Sequence, residues 1–69
     1  MNTIKLRDEY IKLGQALKLA GVVNEGVEAK FLILDGKVKV NNEVCTMRGK
    51  KLYSGDVFEY NGNEYKIEE

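Results

Sequence analysis

Apolar and polar positions along the chain follow two different periods, and the places where one gives way to the other mark its elements. Thr3-Ile4-Lys5-Leu6 alternates polar with apolar, which predicts a short first strand. From Leu13 the apolar positions Leu13, Ala16, Leu17 and Ala20 recur at i, i+3, i+4 and i+7, one face of a helix. That spacing predicts a helix from Lys12 to Ala20, closed by Gly21 as a left-handed cap with Val22 placed for the accompanying apolar contact. Asn24 is the expected N-cap of a second helix, whose positive N-terminal end suits Glu25 and Glu28. Its expected apolar stripe is Val27, Phe31 and Leu34, with Ala29, Leu32 and Ile33 alongside, and Gly36 ends it.

After Gly36 the period becomes two. Val38 and Val40 point one way, Lys37 and Lys39 the other. Asn41-Asn42 reads as a tight turn, because Asn tolerates positive φ, and Val44-Cys45 returns as a strand. A basic loop, Arg48–Lys51, leads to a turn at Ser54-Gly55-Asp56. Val57–Tyr60, Asn61-Gly62 and Asn63–Ile67 then carry the strongest hairpin signal of the chain. A two-residue loop there pairs Tyr60 with Asn63 and Phe58 with Tyr65, so Phe58, Tyr60, Tyr65 and Ile67 share one face, the expected core face. The layout predicts an α+β fold, two helices packed against a small antiparallel sheet, with residues 1–69 as one domain.

Composition narrows the class. With 43% apolar and 32% charged residues, the 69-residue chain matches a soluble globular domain whose core is thin. A single cysteine cannot form an internal disulfide, which points to a reducing compartment. The first residues lack the apolar run of a signal peptide and no stretch approaches membrane-spanning length, so the cytoplasm is the expected location, with no membrane partner. The net charge of zero conceals an asymmetry. Residues 30–51 carry six cations against two anions, whereas residues 52–69 carry one cation against five anions. Charge so partitioned flags a polyanion footprint in the basic segment.

Catalytic chemistry finds little to work with. There is no histidine for a triad or a metal site, no run of phosphate-cradling glycines, and the lone Cys45 is expected as a small buried apolar residue. No enzyme, metal or cofactor is therefore expected. Binding remains. Lys12, Gln15 and Lys18 share the polar side of the first helix, Lys30 lies on the second, Lys37 and Lys39 flank Val38, and Arg48, Lys50 and Lys51 crowd one loop. Gly49 within that loop would let main-chain amides approach a phosphate.

The order of these features resembles the RNA-binding domain named after small-subunit ribosomal protein S-four, the α-L motif. Short stand-alone bacterial members of the YaaA/YbcJ type are the most similar. The resemblance is carried by Leu17-Lys18-x-Ala20-Gly21, the pair Ala29-Lys30, Gly36-x-Val38-x-Val40-Asn41, Arg48-Gly49-x-Lys51-Leu52 and Gly55-Asp56, spread over residues 10–60. It implies two helices and an adjoining hairpin presenting a basic surface to structured RNA, typically ribosomal or transfer RNA, with ribosomal particles or proteins as further partners. The residues it marks are Lys18, Lys30, Lys37, Lys39, Asn41, Arg48, Gly49 and Lys51, recognising the shape of the RNA more than its sequence. Where many members open the first helix with an Arg-Leu-Asp-type run, this chain has Ile11-Lys12-Leu13-Gly14, and its hairpin turn is Asn41-Asn42 instead of Asn-Gly. The competing expectation is a protein-interaction adaptor that keeps the fold without the RNA.

Overall fold

The computed structural model describes residues 2–69. In chain order the elements are β1 (Asn2–Lys5), β2 (Ile11–Lys12), α1 (Leu13–Leu19), α2 (Gly26–Leu34), β3 (Val38–Val40), β4 (Glu43–Val44), β5 (Lys51–Leu52), β6 (Val57–Tyr60) and β7 (Asn63–Glu68). One sheet has the order β1-β7-β6-β3-β4, and β2 with β5 forms a separate two-stranded ribbon. The fold is α+β as expected, but the larger sheet is mixed: β1 runs parallel to β7 at its edge, while the other pairs are antiparallel.

The β6–β7 hairpin has the expected register, Phe58 opposite Tyr65 and Tyr60 opposite Asn63. Positive φ at Asn61 (53°) and Gly62 (84°) gives the turn its mirror-type twist, which matches the strands it joins. Phe58 and Ile67 are fully buried beneath the helices, and Tyr60 and Tyr65 pack at the margin of that core. The Phe58 and Tyr65 rings stack 4.9 Å apart. The aromatics of this hairpin are thus core residues.

Both helices end as their glycines require. After α1, the Gly21 N–H donates to the Lys18 carbonyl (3.0 Å) and the Val22 N–H to the Leu17 carbonyl (3.1 Å), with Gly21 at φ 78°. At its start α2 differs from expectation. The N-cap is Glu25, and the Glu28 carboxylate accepts from the N–H groups of both Asn24 (3.2 Å) and Glu25 (3.1 Å). An acidic side chain reaching back thus satisfies the amides of Asn24 and Glu25 themselves, in a capping box that starts one residue later than expected.

The buried face of α2 also differs. Ala29 and Ile33 are fully buried, whereas Val27, Phe31 and Leu34 are 56%, 61% and 54% exposed. Six of the nine residues of α2 are apolar and they surround the helix, so periodicity alone selects no face. Packing selects it: Ala29 and, on α1, Ala16 are both fully buried, small enough to let two short helices approach over the sheet. Four smaller corrections concern the short strands and Cys45. The second strand of the first hairpin is Glu43–Val44, with the Cys45 N–H extending the ladder to the Val38 carbonyl (3.0 Å). Cys45 is half-buried, not fully buried, and its thiol donates to the Met47 carbonyl (3.7 Å). Lys51 belongs to β5, not to a loop, and Lys12 belongs to β2, not to the first helix.

Candidate nucleic-acid interface

The ribbon of β2 and β5 places the basic loop against the start of α1. The first amides of any helix lack partners within it. Here the Leu13 N–H donates to the Lys50 carbonyl (2.8 Å) and the Gly14 N–H to the Arg48 carbonyl (3.2 Å). Loop 47–50 is thereby tied across the N-terminal end of α1. Gly14 makes the approach possible, since a Cβ there would stand 3.1 Å from Arg48 Cγ. The missing side chain leaves room for the aliphatic stem of Arg48.

The result is an open groove of about 380 Å³ lined by Lys12, Gly14, Gln15, Lys18, Gly26, Arg48 and Gly49. Three cations from a strand, a helix and a loop meet there, and no carboxylate is among its lining residues. Gln15 and Lys18 follow each other at a three-residue step along the exposed side of α1, Lys12 precedes them at the end of β2, and the three glycines lower the walls enough for main chain to face a ligand. Five of the sequence-predicted residues, Lys12, Gln15, Lys18, Arg48 and Gly49, are brought together.

The others are distributed around it. Lys51 is the direct cross-strand partner of Lys12. Like charges opposite one another in a ladder cost about 0.2–1 kcal/mol. The Lys51 ammonium sits 4.8 Å over the Tyr10 ring, a cation–π contact that draws it away from Lys12 and offsets part of that cost. Lys50 is exposed beside it. Lys30, exposed one helical turn after Gly26, is not among the groove's lining residues. Lys37 and Lys39 are not among the groove's lining residues: Lys37 caps α2 through its N–H to the Leu32 carbonyl (3.1 Å), and Lys39 stands opposite Glu59 on the sheet face turned from the helices. Asn41 is engaged in the fold, its amide donating to Asp56 (3.2 Å) and its carbonyl oxygen accepting from the Val57 N–H (3.0 Å).

Sequence reasoning passed over a second groove of about 670 Å³ on the other side of α1, between that helix and residues 3–11. Arg7 and Tyr10 line it, and Gln15 and Lys18 line both grooves. Its one sequence signal is Arg7 and Tyr10 flanking Asp8-Glu9, a run with one cation against two anions that marks no basic patch in a segment count.

A family model described as the S4 domain matches residues 4–68. The chain belongs to the S4 domain family. Over 61 residues it is 48% identical to the probable ribosome maturation protein RlbA of Bacillus subtilis, a match spanning 88% of this chain and 86% of that protein. It is 31% identical over 58 residues to YbcJ of Escherichia coli, covering 84% of this chain and 83% of that one. The solution structure of YbcJ, described as revealing an ALFAL motif involved in RNA-binding, superimposes on this S4 domain with a TM-score of 0.76 at 30% identity, over 100% of this chain and 89% of that one. The family expected from the order of the motifs is therefore the family found.

Proposed function

We propose that this S4-domain RNA-binding protein recognises structured RNA, ribosomal or transfer RNA, in the cytoplasm, and serves ribosome maturation as the name of its Bacillus subtilis relative indicates for that protein. The observation that carries this reading is the groove in which Lys12, Lys18 and Arg48 converge with no carboxylate in the wall. Phosphates entering it displace counterions, and the glycine-lowered walls admit a sugar–phosphate backbone whose groove width, not base sequence, sets the fit. Lys51, Lys50 and Lys30 add charge outside the groove, while Gln15 and the Gly49 main chain supply hydrogen bonds. Lys37, Lys39 and Asn41 serve the hairpin and contribute little. The whole chain, residues 1–69, acts as one binding module without cofactor or catalytic step, and ribosomal particles are the setting in which its partner proteins would be met.

The test is affinity for a structured ribosomal-RNA fragment across a salt series, for the intact protein and for the Arg48→Ala, Lys12→Ala pair. Log K should fall linearly with log salt, and the variant should bind more weakly with a slope shallower by about one to two units. No binding by either protein at low salt would overturn the reading in favour of the protein-interaction adaptor.

A further inference from the structure

We propose that the second groove, between residues 3–11 and α1, holds an unpaired nucleotide flanking the structured RNA, its base stacked on Tyr10. The inference rests on the RNA-binding reading above and assigns a different part of the ligand to a different surface.

The two grooves differ in chemistry. The first presents cations without a carboxylate. The second mixes signs: Arg7 and Lys18 stand against Asp8, and the Lys5 ammonium is committed to the Glu69 main-chain oxygen (3.1 Å). A row of phosphates gains little from such a wall. A nucleobase suits it, with a neutral hydrogen-bonding edge and an apolar face, because Thr3 and Gln15 offer hydrogen bonds and the 63% exposed Leu19 offers apolar surface. The volume of about 670 Å³ lies within the range of roughly 300–1,000 Å³ typical of small-ligand sites.

Tyr10 is built as a stacking surface. Its ring is fixed by the Lys51 ammonium 4.8 Å above it and by the Tyr53 ring, 5.9 Å away and tilted by 50°. It nevertheless lines the groove. A ring held on two sides loses little entropy when a base stacks against it, and base–aromatic stacking tolerates any base. Tyr53, itself 45% exposed, is not among the groove's lining residues and acts by holding Tyr10. The geometry also connects the grooves. Gln15 and Lys18 form their common wall, and the pair Lys12 and Lys51 spans them, Lys12 lining the first and Lys51 lying on the aromatic of the second. A strand leaving the basic groove over α1 arrives at Tyr10.

The experiment uses the full chain and two RNAs: a blunt ribosomal-RNA hairpin, and the same hairpin with a short unpaired extension carrying 2-aminopurine. The extension should tighten binding by about fivefold or more, the worth of one stacked base, and the 2-aminopurine fluorescence should be quenched on binding. The Tyr10→Leu, Tyr53→Leu pair should lose both effects while binding the blunt hairpin as the parent does, and Arg48→Ala should weaken both RNAs alike. Quenching by the unmodified protein needs no variant, so a fold damaged by Tyr10→Leu leaves the test intact. Equal affinity of the unmodified protein for both RNAs without quenching overturns the inference and leaves the basic groove standing. Equal weakening on both RNAs by a tyrosine pair that keeps the parent's circular dichroism and melting temperature overturns it as well, since the rings then act through Lys51. Failure to bind either RNA removes the RNA reading itself, and this inference with it.

Discussion

Asn41 gives the sharpest division between holding the fold and touching RNA. Its own N–H donates to the Val57 carbonyl (2.7 Å), its side-chain carbonyl accepts from the Val57 N–H (3.0 Å), and its amide donates to Asp56 (3.2 Å). The other oxygen of Asp56 accepts from the Tyr53 N–H (2.8 Å), so one asparagine joins the β3–β4 turn to the turn before β6. Its φ is 51°, in the left-handed region. Asn41→Ala removes two side-chain hydrogen bonds, each worth about 0.5 kcal/mol at an exposed position, the low end of the usual range. It also places a Cβ residue without a compensating side-chain bond in the left-handed region, for about 1 kcal/mol more. The expected loss is therefore about 2 kcal/mol, against a total stability of about 3–10 kcal/mol for a chain of this length.

Thermal unfolding followed by circular dichroism should show Asn41→Ala melting roughly 8–16 °C below the parent. Asn41→Gly, which loses the same bonds but accepts the φ, should recover about 1 kcal/mol of the difference. Neither variant should change the slope of log K against log salt for the RNA. A variant that melts like the parent yet binds RNA more weakly would refute the reasoning, for it would mean that the amide is free in the fold and spent on the ligand.

The remaining predictions use the same small scale. Phe31→Ser, on the exposed side of α2, should change the denaturation midpoint by no more than about 0.5 kcal/mol equivalent, whereas Ile33→Ala, on the buried side, should cost about 2–5 kcal/mol; the reverse order would restore the stripe expected from sequence. Gly14→Ala should change the melting temperature little, a helix-propensity gain of up to about 1 kcal/mol being set against the new Cβ standing 3.1 Å from Arg48 Cγ, while displacing Arg48 and reproducing part of the affinity loss of Arg48→Ala. Gly36→Ala should cost about 1–2 kcal/mol through its φ alone, because the new Cβ would meet Val44 at an ordinary distance, and equilibrium urea unfolding reads that cost directly.

Elements with their own local grammar were legible in the sequence. The Asn61-Gly62 hairpin, its register and its core face follow from turn chemistry and period two, and the Gly21 and Gly36 caps from the need for positive φ. What was hidden depends on contacts between distant segments. Residues 11–12 and 51–52 are each too short to announce a strand, and only their pairing makes one. A helix apolar all round conceals which side it buries until a partner with a small residue such as Ala16 is in place. Of the candidate site, the residue types were legible and their grouping was not. Lys37 and Lys39 look as basic as Lys12 and Lys18, yet the fold sends the two pairs to different surfaces.

That grouping also explains how a chain of zero net charge can present a cationic groove. The basic count of residues 30–51 suggests one patch made by that segment, but only Arg48 of its six cations lines the groove. Lys12 and Lys18 come from an N-terminal segment that sums to zero, carried to Arg48 by the β2–β5 ribbon. The acidic C-terminal segment is placed elsewhere by its strands: Glu59 stands between Lys39 and Glu64, and Glu68 opposite Lys5, with Glu59 and Glu64 on the sheet face turned from the helices. At physiological ionic strength fields decay over about 8 Å, so a phosphate in the groove responds to the three cations beside it and little to carboxylates across a sheet. The strand register, more than the composition, therefore decides the sign of the surface that an RNA meets.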